Sequence, residues 1–73
     1  MYEAISGERI GQRLKEMRIQ KEMSMEQMAR TLGTSYSAIS MYENGERIPR
    51  DEIKIKIAEL FGVSVETIFF QKQ

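Results

Sequence analysis

Residues 24–45 read Ser-Met-Glu-Gln-Met-Ala-Arg-Thr-Leu-Gly-Thr-Ser-Tyr-Ser-Ala-Ile-Ser-Met-Tyr-Glu-Asn-Gly, two short helical patterns parted by Gly33. Ser24 and Gln27 have the spacing of a capping box, and Met23 is placed to staple onto Met28. Met28, Ala29 and Leu32 form the inner face of this helix, which Gly33 ends by taking the left-handed conformation. Thr34 or Ser35 caps the next helix, whose Ile39 and Tyr42 turn inward together, and Gly45 ends it. Ala29 must be small where the helices cross, Gly33 permits the turn, and Ile39 plugs the angle between them. Helices joined so tightly cross steeply and leave one face of the second pointing away from the core. That geometry lays a helix in the major groove of DNA.

Outward from this stretch, Ile10, Leu14 and Met17 make a helical stripe that starts at Ser6 or Gly7 and ends near Lys21-Glu22. Residues Met1 to Ser6 read as an irregular lead-in. Past Gly45, a loop carries Pro49 to the entrance of a fourth helix, with Asp51 and Glu52 favoured by the macrodipole of its first turn. The segment Ile53 to Phe61 has two readings. Ile53, Ile55 and Ile57 alternate like a strand, which would suit a winged helix, whereas Ile53, Ile57, Leu60 and Phe61 fit a helical face. Pro49, Gly62 and the segment's length favour the helix. A Ser64-capped fifth helix runs through Val65, Ile68 and Phe69. The expectation is one all-α domain over residues 1–73, with the helix-turn-helix at about 24–45.

The chain has 73 residues, 11 basic and 11 acidic, and neither cysteine nor histidine. One small core is all that this length allows. Without cysteine there is no disulfide or thiolate metal site, and without histidine the commonest general base and metal ligand are missing. No nucleophile–base pair, phosphate loop or metal cluster is legible, so neither an enzyme nor any cofactor or metal is expected. No apolar run reaches membrane-spanning length, and the first residues lack the layout of a signal peptide, which makes the cytoplasm the expected compartment. A net charge of zero argues against strong sequence-blind affinity for nucleic acid, although cations gathered on one face can still bind phosphates.

From Ile10 to Phe70 the chain resembles the Cro and phage-repressor type of helix-turn-helix domain, the xenobiotic-response-element family. The resemblance is carried by Ile-Gly-Gln-Arg-Leu-Lys-Glu-Met-Arg (10–18), the Ser24 to Leu32 helix, Ser35 to Gly45 ending in Tyr-Glu-Asn-Gly, and Ile-Ala-Glu-Leu-Phe-Gly-Val-Ser-Val (57–65). It implies a compact five-helix, lambda-repressor-like fold and a homodimer that binds double-stranded operator DNA to regulate transcription.

By that resemblance the third helix reads bases through Tyr36, Ser37, Ser40 and Met41. The family often has Arg, Gln, Asn or Thr at these positions, and this chain has none of them. Tyr36 and Met41 suit thymine methyls, and serine hydroxyls bond permissively, so modest direct readout with a preference for T-bearing steps is expected. Each also has a plainer reading: Tyr36 packed back on the second helix, Met41 as a core or dimer contact, the serines as solvent-facing residues. Phosphate contacts map to the start of the second helix at Met25, where the family commonly has glutamine, and to Asn44, Arg47 and Arg50, with Arg13 a weaker candidate. The alternative for each arginine is a solvated charge. Three neutralised phosphates per subunit give a dimer a salt slope of about −5.

In the family, an arginine at the position of Arg18 pairs with a glutamate at that of Glu43, tying the first helix to the third; the alternative is two exposed charges. Phe69 and Phe70 diverge by about 100° on a helix and cannot both enter one core, so one is expected at a dimer contact. The leading functional reading is a sequence-specific repressor of phage or mobile-element type. The second is an antitoxin or other protein-interaction module of the same fold, with a toxin or co-regulator as partner.

Overall fold

The computed structural model describes the backbone of residues 2–72 and the side chains of residues 5–70. Five helices follow one another: α1 (Gly7–Gln20), α2 (Met25–Leu32), α3 (Tyr36–Glu43), α4 (Asp51–Phe61) and α5 (Val65–Phe69). Serine opens four of them. Ser6, Ser24, Ser35 and Ser64 each accept a bond from the amide three residues on, and Ser24 with Gln27 completes the capping box. This satisfies a donor that a helix start otherwise leaves without an acceptor. Gly33 closes α2 at φ 70°, a conformation its missing Cβ makes accessible.

The isoleucine-rich segment is helical. Ile53 and Ile57 enter the core while Ile55 stays 54% exposed, the outcome of a 3.6-residue period rather than a two-residue one. The lead-in corrects an expectation. Tyr2–Ala4 form a strand, β1, paired antiparallel with β2 (Phe70–Lys72) in the register Tyr2↔Lys72, Glu3↔Gln71, Ala4↔Phe70. Met1 lies outside the described residues. Three-residue strands carry no readable alternation, and their pairing depends on a partner at the far end of the chain.

One core draws on all five helices, with Leu14, Met28, Leu32, Ile39, Ile57, Ile68 and Phe69 sealed from solvent. α3 sits at its centre, packed most extensively on α1 and then on α2. The α1–α3 approach is almost backbone to backbone. A Cβ on Gly11 would fall 2.6 Å from the Tyr42 carbonyl oxygen and nearer still to that of Glu43. No side-chain motion relieves such a clash, so Gly11 sets how deeply α3 seats. No helix among the described residues is long and apolar enough to cross a membrane.

Candidate nucleic-acid interface

α3 divides cleanly into two faces. At 100° per residue, Ala38, Ile39 and Tyr42 fall within an arc of about 100°, and Tyr36, Ser37, Ser40 and Met41 within the opposing arc of about 140°. The first set is buried. In the second, Tyr36 is 53% exposed and Ser37 is exposed, while Ser40 and Met41 are half-buried. The Tyr36 ring flanks a shallow cleft of about 240 Å³ that it shares with Glu26, Ala29, Arg30 and Thr34. Sequence reasoning did not bring Glu26 and Arg30 to this face. They are neighbours of Tyr36 only because α2 and α3 cross.

The expected phosphate contacts fall into three situations. Arg47 and Arg50 are exposed in the segment between α3 and α4, Arg50 capping α4 through its backbone alone. Asn44 ends α3 and reaches the Ser40 hydroxyl at 3.4 Å, a long bond that sets a loop residue beside an expected base reader. Met25 lays its half-buried side chain on the core, which leaves the first-turn amides of α2 as that region's donors. Arg13 departs from expectation. Its Nη1 donates to the carbonyl oxygens of Thr67 at 2.9 Å and Ile68 at 3.3 Å, so the guanidinium turns to α5.

Arg18 and Glu43 form a two-pronged pair. Nε donates to Oε2 at 2.7 Å and Nη2 to Oε1 at 3.1 Å, while Nη1 donates to the Met23 carbonyl at 2.9 Å. The side chains are only 12% and 5% exposed. The hydrogen bond to Glu43 holds Arg18 above its ordinary pKa, against the opposing effect of burial. One guanidinium thus joins α1, the lead-in to α2 and the last turn of α3, and fixes the platform from which α3 projects.

At the other end, Phe69 is 1% exposed and sealed in the core, so of the two phenylalanines considered for the dimer contact Phe70 is the one left near the surface. The helix ends there, and Phe70 leaves in extended conformation, half-buried at the core's edge. Lys54 Nζ lies 5.5 Å from the Phe69 ring centre, 5.9 Å from that of Phe70, and 3.8 Å from Asp51 Oδ1. Asp51, Lys54, Ile55, Val65 and Phe70 line an open groove of about 240 Å³.

The sequence model of the helix-turn-helix family HTH_3 matches residues 14–68. An HTH-type transcriptional regulator of Methanocaldococcus jannaschii is 37% identical over 57 residues, covering 78% of this chain and 86% of that protein. The restriction-modification controller protein of Aeromonas hydrophila superposes with TM-score 0.79 at 28% identity, covering 86% of this chain and 96% of that one. The biofilm regulator SinR of Bacillus subtilis, solved in complex with DNA, superposes with TM-score 0.74 at 32% identity, covering 81% of this chain and 95% of that one. With its capped α2–turn–α3 unit and a profile match over most of its length, the chain belongs to the helix-turn-helix family of DNA-binding transcriptional regulators, of the xenobiotic-response-element type.

Proposed function

We propose that the protein is a sequence-specific repressor of phage or mobile-element type that binds operator DNA as a homodimer, with α3 in the major groove. The observation that carries this reading is the division of α3. Its inward face is consumed by the core, and its outward face offers Tyr36, Ser37, Ser40 and Met41 to a partner. Tyr36 and Met41 meet thymine methyls, and the two hydroxyls add permissive bonds to base edges. The α2 first-turn amides, Asn44, Arg47 and Arg50 hold the backbone on either side. Arg13 leaves this set because α5 occupies it. Two arginines per subunit reduce the expected salt slope of a dimer to about −4.

The dimer forms through the Ile55–Val65–Phe70 groove. Its apolar floor with one acid and one base at the rim, Asp51 and Lys54, is self-complementary under a two-fold axis. Selection of bound DNA from a random pool tests the whole proposal. The expected product is a pair of inverted, T-bearing half-sites whose binding falls on Tyr36→Ala, and which, placed across a reporter promoter, lets the protein silence it. A G-rich product indifferent to Tyr36→Ala overturns it.

A second reading, docking of a protein partner such as a toxin, draws on SinR having also been solved with the protein SinI, at 32% identity and TM-score 0.75 to this chain. A gel shift on the selected DNA, abolished when Arg47 and Arg50 are neutralised, separates the two.

A further inference from the structure

α5 has five residues and ends among carbonyls that so short a helix leaves without amide partners. Three successive ones are taken up from α1 and its lead-in. Arg13 Nη1 binds those of Thr67 and Ile68, at 2.9 and 3.3 Å, and the Ile5 amide donates to that of Phe69 at 3.3 Å. The cation also sits where the α5 dipole favours positive charge. β2 then leaves along β1, so the closure continues for three more residues. On its other side α1 meets α3 over Gly11, where not even a methyl group fits. A continuous path of contacts therefore runs from the α5 side of the groove, through Arg13 and α1, to α3, and the Arg13 link is its most yielding point.

We propose that Arg13 is a positioning residue that fixes the angle between the α5 wall of the dimer groove, whose other wall is α4, and the reading helix, and thereby sets the half-site spacing the protein accepts. The inference rests on the homodimer reading above. The lever is long for so small a protein, whose principal extents are 34 × 24 × 22 Å. A swing of about 10° on an arm of about 20 Å moves α3 by about 3.5 Å, one base-pair step along the duplex. A loosened α5 therefore blurs the spacing without touching any group that contacts DNA.

The test uses the full chain and the operator recovered by selection, together with two versions whose half-sites stand one base pair closer or farther apart. The wild type is expected to lose about tenfold in affinity on either altered spacing. Arg13→Gln is expected to sediment as a dimer, keep its affinity for a single half-site, and discriminate among the three spacings by no more than about threefold. Arg13→Lys keeps the charge and a donor but not the reach of Nη1 to both carbonyls, and falls between. It is also the variant to read should the glutamine variant fail to fold.

Wild-type discrimination in Arg13→Gln and Arg13→Lys overturns the inference. So does an equal loss at every spacing with a salt slope shallower by about one per subunit, the mark of a phosphate contact. A dimeric wild type without spacing preference sinks the inference alone, whereas a wild type that stays monomeric on DNA sinks the dimer reading with it.

Discussion

The end of the molecule around α3 and the end around α5 are both fastened to α1 by an arginine, and the two fastenings differ in kind. Arg18 meets a carboxylate with two parallel bonds in a nearly dry setting, and a third bond takes in the Met23 carbonyl. Arg13 meets only neutral carbonyls, and its bond to Thr67 is exposed. An ion pair closed off from water is rigid because breaking it leaves a stranded charge, whereas a cation on helix-end carbonyls exchanges readily with water. The α3 end is thus built as a fixed platform for the helix proposed to read DNA. The α5 end is held more softly, and in the proposed homodimer a softer joint is where the geometry between subunits is most open to change by substitution.

The comparison can be broken at its strong end first. Glu43→Ala is expected to cost about 3–5 kcal/mol in urea unfolding, because Arg18 is left without its partner. If Glu43→Ala costs under about 1 kcal/mol, the pair is behaving as an exposed one and the contrast between the two ends collapses. Gly11→Ala comes next, at about 2–3 kcal/mol, since the new methyl group meets backbone rather than movable side chains. That variant also moves α3, so operator affinity should drop even under conditions where the domain remains folded by circular dichroism.

Arg13→Gln should cost less, about 1–2 kcal/mol by the same denaturation measurement. A cost matching that of Glu43→Ala would make the α5 joint as stiff as the α3 platform. The smallest effect is expected at Glu22, whose φ of 57° is a left-handed conformation that a glutamate adopts at a cost. Glu22→Asn at this α1–α2 turn should raise stability by about 0.5–1 kcal/mol, read as a higher thermal midpoint, because asparagine tolerates that region better.

Much of the α3 end was legible beforehand, for a reason its residues make plain. Ser24 with Gln27, Ser35 with Ala38, and the burial of Ile39 and Tyr42 all act within one turn of helix, so adjacent letters encode them. The division of α3 into faces follows from the same period. The α5 end was less legible. Arg13 and Thr67 are 54 residues apart, and an arginine on an amphipathic helix looks alike whether its fork meets a phosphate, water or a helix end. Phe69 and Phe70 were known to diverge, but which of them entered the core depended on where α5 stopped. The demand on Gly11 was invisible for a related reason, since a glycine within a helix announces nothing about the chain that crosses it.

The sequence by itself determined where helices begin and end and which faces they bury, because caps, turns and periodicity are set by residues within four positions of each other. Only the tertiary structure decided that the two chain ends pair as strands, that Arg13 serves α5, and that α3 seats against Gly11. Those choices belong to groups brought together by collapse around a shared core, and the direction of a long side chain is fixed by whatever that collapse sets within its reach.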